Sequence, residues 1–274
     1  MSEENSNLNE PNQSEWQAPP LPEEIRNTDE PARMSEVATL GNIFISPGET
    51  FEDLRRKPRF IMAVLVMIFL ATAFQFLFTQ KLGEDRMRSF MVEQMDKSPM
   101  TQSLAPEQKQ QAIERGLKIA SITKYLIPVF LLIAFAIGGL LYWLGGKAMG
   151  GTGNFLHGLS AWVYSSFPPL VVAMLANFLI LMLKSVDEID IGNSQRGLIH
   201  ANPSFFMDGK SMPVLATILG TLDFFQIWGW ILAAIGLQKL MKLSKGSAWA
   251  IVLIITLIFL AFRVISAFFN GNPV

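Results

Sequence analysis

The chain has 274 residues, half of them hydrophobic and only 16% charged, whereas soluble domains carry roughly 25% charged residues. The net charge is −1, and the bases are scattered around apolar stretches rather than gathered on one polar face, which argues against a nucleic-acid binder. There is no cysteine, so disulfides, thiolate metal sites and cysteine nucleophiles are excluded. With His157 and His200 alone, a histidine zinc site is short of ligands, and no cofactor is expected.

Residues 1–40 hold nine acids and two bases, a net of −7. They are rich in Glu, Asn, Ser and Pro, so they cannot bury enough surface to offset ordering entropy. They are expected to form a disordered acidic tail, either simply solvated or carrying a docking motif. Residues 19–22 (PPLP) should be extended. A basic n-region and an apolar h-region are both missing, so insertion is expected to rely on the first internal apolar segment. Residues 42–59, NIFISPGETFEDLRRKPR, predict a short amphipathic helix lying at the membrane surface. Ser46 can cap it, Pro47 suits its first position and Glu49 completes a capping box. Phe51 and Leu54 share one side, Glu52, Asp53, Arg55 and Arg56 lie elsewhere, and Pro58 ends it.

Five apolar segments then follow, at about 60–78, 125–144, 155–183, 213–237 and 248–269. Each is long enough for ~30 Å of hydrocarbon. The expected fold is therefore all-α: a five-span transmembrane bundle over residues 41–270. Pro168-Pro169 should kink the third span. Residues 81–124 read as a small polar helical hairpin packed on the membrane domain, with Pro106 starting its second helix. Residues 184–212 are acidic at the start and irregular afterwards.

Two basic clusters set the orientation: Arg55, Arg56, Lys57 and Arg59 before span one, and Lys239, Lys242 and Lys245 between spans four and five. They fall on the same side, which the positive-inside rule makes cytoplasmic. The N-terminus is then expected inside and the C-terminus outside. The eight bases of residues 81–124 argue the other way, but they are mixed with six acids and lie less tightly against the spans.

The most unusual residue is Asp223, ten positions into the fourth segment and so ~15 Å deep. Arg263 in span five lies ~10 Å in from the same face. An Asp223–Arg263 pair inside the bundle is expected, with Gln226 on the face of Asp223. It would either fix helix docking or line a gate or a solute pathway. The sequence LGGKAMGGTGNF at 144–155 fails as a phosphate loop, because Ala148 follows Lys147 where Ser or Thr is required. It reads as a turn. Ala134 and Gly138, Ala161 and Ser165, and Gly229 and Ala233 are small-residue pairs that let helices approach, and they leave a homo-oligomer open. Asn177 and Gln75 could hydrogen-bond between helices. No arrangement around either histidine suggests nucleophilic catalysis.

Three stretches carry a family resemblance: ISPGETFEDLRRKPRF before span one, APEQKQQAIERG before span two, and LDFFQIWGWILAAIGL in span four. With the five-span plan, the chain resembles a Yip1-domain protein of the bacterial type over about residues 40–270. The resemblance implies a five-helix integral membrane domain with a cytosolic N-terminus, in a bacterial plasma membrane. Eukaryotic relatives act in vesicle traffic with small GTPases. Their DLYGP-like motif is missing before span one here, so that activity is not carried over. The functional expectation is a non-enzymatic membrane organiser or adaptor that contacts membrane lipids and recruits membrane or cytoplasmic proteins. The alternative is a small transporter or channel using Asp223 and Arg263.

Overall fold

A computed structural model describes residues 31–274, apart from 99, 100, 102, 193, 195, 196, 200, 208, 210, 272 and 274. The described residues form eight α-helices: α1 Glu36–Ile45, α2 Pro47–Arg56, α3 Ile61–Lys97, α4 Pro106–Ala148, α5 Phe155–Leu183, α6 Pro213–Gly220, α7 Phe224–Met241 and α8 Lys245–Asn270. Helices α3, α4, α5, α7 and α8 are each long and apolar enough to cross a membrane. Aliphatic and aromatic side chains are exposed all along them, from Leu65 and Phe69 on α3 to Phe262 and Phe268 on α8. A helix that is apolar all round and still exposes its apolar side chains is solvated by lipid.

Helix α5 is the hub and packs against α3, α4 and α7. Its contact with α4 is set by glycine. A Cβ on Gly158 would lie 2.6 Å from the Gly139 carbonyl oxygen, and one on Gly139 2.7 Å from Leu159 Cα. A Cβ on Gly138 would enter the Trp162 ring at 2.0 Å. The two backbones therefore meet at van der Waals distance, and Trp162 lies over Gly138 with its ring 4.8 Å from that of Tyr142. Helix α5 runs unbroken through Pro168 and Pro169. Pro169 leaves the Ser165 carbonyl without its helical donor. The Cβ-less face of Gly229 on α7 covers that spot, 3.6 Å from Ser165 O and 3.7 Å from Pro169 Cγ, measured from an ideal Cβ.

Spans one and two extend well past the membrane. At 1.5 Å per residue α4 is ~65 Å long, and α3 continues past its apolar part as a second helical stretch beyond a kink at Gly83. The polar segment between them has the two helical arms expected of a hairpin, but its second arm is the start of α4 itself and not a separate helix. Its two arms continue α3 and α4, joined across the gap by Lys109 Nζ and Asp96 at 2.8 Å. The only irregularity in α3 is Gly83, whose φ of 73° breaks the helical path. Lys81, two residues earlier, donates to the carbonyls of Leu181 and Lys184 at the end of α5. It marks the level where the bundle ends and the arms begin.

The fourth span differs from the single helix expected over 213–237. It divides into α6 and α7, separated by Thr221, Leu222 and Asp223. The reason is local: the Asp223 side chain accepts from the Phe225 amide at 2.9 Å, so Asp223 starts a new helix instead of continuing the old one. The expected surface helix also changes role. Phe51 and Leu54 are fully buried, and α2 packs on α7 rather than on lipid. Ser46 precedes α2 with Pro47 in the first turn, but its side chain makes no capping bond. Thr50 Oγ1 instead donates to the Ser46 carbonyl and accepts from Asn42 Nδ2, each at 3.0 Å.

Candidate functional site

Among the described residues a polar junction lies at each end of α7. The first lies where the chain enters the bundle. Helix α2, the α4–α5 turn and the α7–α8 turn meet there. Thr152 N donates to Met241 O at 2.9 Å, His157 Nε2 lies 3.1 Å from the Arg55 carbonyl oxygen, and Lys239 Nζ lies 3.9 Å from Glu52. We call this the tail end. Both basic clusters used for orientation are therefore at one end of the molecule.

Asp53 is 1% exposed at this end. Its carboxylate accepts from the Arg33 amide at 2.6 Å and the Met34 amide at 3.3 Å. It also pairs with Arg59, itself 9% exposed, and has Arg56 Nη1 3.8 Å away. Arg59 donates in turn to the Met34 carbonyl. A buried carboxylate is tolerated only when paired and hydrogen-bonded, and here the pairing comes from Arg56 and Arg59 nearby and the hydrogen bonds from the amides of residues 33 and 34, some twenty positions earlier. The result is a clamp that fastens residues 33 and 34 to the start of span one. The expectation of disorder over residues 1–40 therefore stops short. Residues 1–30 lie outside the described residues, and from 31 onward the chain is laid against Asp53 and turns into α1 at Glu36, capped by Ser35.

Helices α1 and α2 make a helical hairpin that enters the bundle. Arg55 is level with His157, whereas the ring of Phe44 lies 6.0 Å from Phe167 and 6.3 Å from Trp228. Positions 157 and 167 are separated by ~15 Å along α5, so the hairpin tip reaches roughly that far inward. Phe51 fits against Gly236, where a Cβ would be 3.0 Å from the ring. The sequence contained the signal for this in Phe51 and Leu54, but the same two residues also fit a helix lying on lipid.

The second junction is the break before α7. The Asp223 carboxylate caps α7 through the Phe225 amide and accepts from Asn202 Nδ2 at 3.1 Å, while the Phe224 amide donates to Ala201 O at 3.0 Å. The α5–α6 loop therefore dips in to meet Asp223. A second bond set holds it down: Asn177 Oδ1, 1% exposed, accepts from the amides of Leu198 and Ile199 at 2.6 and 2.9 Å. Asn177 lies six residues before the end of α5, so the loop descends ~9 Å into the bundle. Irregular backbone at such a depth must be satisfied by protein, and Asn177 and Asp223 do this. A helix N-terminus favours negative charge, which explains how Asp223 is accommodated inside an apolar segment. Of the other expected site residues, Arg263 sits half-buried on α8 and Gln226 is exposed on α7. Asn177 serves the loop rather than a neighbouring helix. His157 holds α5 to α2, a role its sequence context did not reveal, and His200 lies outside the described residues.

These features define a multi-pass α-helical membrane protein with five candidate spans and a polar anchor at its N-terminal side. The sequence model of the Yip1 domain matches residues 41–267, and the chain belongs to the Yip1 domain family. The matched region takes in Asp53, Arg59, Asp223 and Arg263 and leaves out residues 33 and 34. The chain is 29% identical over 243 residues to "Membrane protein YknW" of Bacillus subtilis (strain 168), covering 86% of this chain and 93% of that protein. No solved structure matches.

Proposed function

We propose that this protein is a non-enzymatic organiser or adaptor in the membrane, which uses its acidic N-terminal segment to recruit partner proteins. The observation that carries this reading is the Asp53–Arg59 clamp. It ties the chain at residues 33 and 34 to a rigid bundle, so the acidic residues before it start from a fixed point beside the basic tail end. A tethered segment gains effective concentration for a partner docked on the same face. The basic tail end is assigned to the cytoplasm on the strength of its Lys and Arg clusters. The test is mass spectrometry of what copurifies with the chain in native membrane discs, comparing wild type with a deletion of residues 1–30. Deleting further would remove the groups held by Asp53. The expected result is a stoichiometric protein partner lost with the segment. An unchanged set of partners would overturn the reading.

A second reading is favoured by one observation, the interruption of span four at Thr221–Asp223 under a descending loop. Discontinuous helices form the substrate and ion sites of many transporters, and an ionisable residue within a span marks such a path. On this reading Asp223, Arg263 and Gln226 form the polar path of a small transporter or channel. Asp223→Asn then abolishes a solute flux while the protein remains folded and keeps its partners.

A further inference from the structure

We propose that the groove between α3 and α4 is a binding site for one anionic phospholipid, with its phosphate at Lys118 and Lys124 and an acyl chain running along Phe69, Ala73 and Phe76. Two cavities of about 440 and 430 Å³ lie end to end here and share Lys124. Volumes of this size suit a small-molecule ligand. One is apolar, lined by Phe69, Thr72, Ala73, Phe76 and Tyr125. The other carries charged groups among apolar ones: Arg88, Lys118 and Lys124 line it together with Glu84 and Glu114.

The position of this groove matches the polarity of a lipid. Lys81 marks the level where the bundle ends, through its bonds to Leu181 and Lys184. Gly83, Glu84, Met87 and Arg88 of the charged cavity lie beyond that level on α3, whereas Phe69, Ala73 and Phe76 lie before it. The apolar cavity is thus in the hydrocarbon zone and the charged one at the interface. Gly83 lines this second cavity where its φ of 73° diverts α3, and nothing lies within 4 Å of an added Cβ.

The charges favour an anion. Glu84 is 3.7 Å from Arg88, which cancels one base, and Glu114 is the second acid in the lining, so three bases face two acids. Among the described residues neither Lys118 nor Lys124 has a carboxylate partner. Lys124 Nζ is instead poised over the rings of Phe76 and Tyr125, 5.7 and 5.1 Å from their centroids. A lysine held on aromatic faces at the mouth of an apolar groove is placed to meet a phosphodiester whose tail enters that groove. This also gives a use to bases on the side of the membrane where the positive-inside rule does not call for them.

The full chain, purified from membranes and placed in discs of mixed phosphatidylglycerol and phosphatidylcholine, is examined by native mass spectrometry for retained lipid. Wild type is expected to hold one phosphatidylglycerol in preference to phosphatidylcholine. Lys118→Gln with Lys124→Gln should reduce that preference at least tenfold, while Lys109→Gln, on the arm and paired with Asp96, should not. Ala73→Phe, which fills the apolar cavity and leaves every charge in place, should also displace the lipid. The two lysines are exposed or half-exposed, so their loss spares the core, and the melting temperature of each variant checks this. Equal retention of the two lipids by wild type overturns the proposal. So does unchanged retention in both the lysine and Ala73→Phe variants, or displacement by glycerol phosphate at lipid-equivalent concentration.

Discussion

Replacing Asp53 with alanine removes the centre of the N-terminal clamp. Arg59 is then left 9% exposed without its carboxylate, and the amides of Arg33 and Met34 lose their acceptor. Breaking a buried pair from one side costs about 3–5 kcal/mol, because the remaining charge is uncompensated. Each orphaned amide would add about 1–3 kcal/mol if it stayed buried. The chain avoids part of that by letting residues 31–45 detach, so the penalty appears as local opening. At 1.4 kcal/mol per tenfold, 3–5 kcal/mol lowers hydrogen-exchange protection at Met34 and along α1 by roughly two to three and a half decades. Arg59→Met alone should cost less, since Asp53 keeps both amides and has Arg56 3.8 Å away. Asp53→Asn with Arg59→Met removes both charges and should recover much of the loss, which a double-mutant cycle quantifies. The assay is amide exchange in detergent, read together with limited proteolysis near residue 35. If Asp53→Ala changes protection at Met34 by less than fivefold, the clamp does not hold the tail and this reasoning is wrong.

Gly158→Ala places a methyl 2.6 Å from the Gly139 carbonyl oxygen, a backbone atom that cannot step aside. Overpacking of this kind costs typically 1–3 kcal/mol, so the melting temperature should fall, whereas Gly48→Ala, with nothing within 4 Å, should barely change it. Asn177→Leu leaves the Leu198 and Ile199 amides without an acceptor, and exchange at those two positions should rise at least tenfold while α1 and α2 stay protected. Asp223→Ala removes the α7 cap and should cost about 1 kcal/mol, with loosening of residues 201–203 in exchange measurements. Asp223→Asn keeps an acceptor for Phe225 and should cost less than Asp223→Ala.

Much of this fold was legible in the sequence because its signals are simple. Spans one, two, three and five are runs too long and apolar for anything but helices in lipid, and the pair Ala134 and Gly138 marked a face of close approach, although Gly139 and Gly158, which set the crossing with it, were not singled out. Three features were hidden. Asp53 reads as a surface charge because the groups that satisfy it are backbone amides twenty residues earlier, which leave no pattern in the sequence. The break at Asp223 was masked by apolar residues on both sides. An aspartate in such a run fits a helix interior as well as a new N-cap, and the deciding contact with Asn202 is long-range. The continuity of α4 from its polar start into the membrane was obscured by the change from polar to apolar composition along it, which marks a change of solvent and not the start of a new helix, whereas α3 does break at Gly83, just past the end of its apolar run. The candidate site was only half visible for the same reason: Asp223 was conspicuous, whereas Asn202, Asn177 and His157 acquire roles through partners far away in the chain.

The proposed function requires the clamp, the α4–α5 turn and the α7–α8 turn to face the cytoplasm and the α3–α4 arms to face outward. The chain has no cysteine, so single cysteines can be placed at exposed positions without background. The measurement is labelling of intact cells with a membrane-impermeant maleimide, for cysteines replacing Glu36, Lys245, Asp187 and Glu107. The account expects labelling at 187 and 107 in intact cells, and at 36 and 245 only after permeabilisation. Labelling of 36 and 245 from outside would contradict it, because the basic tail end and the acidic segment would then face away from every cytoplasmic partner.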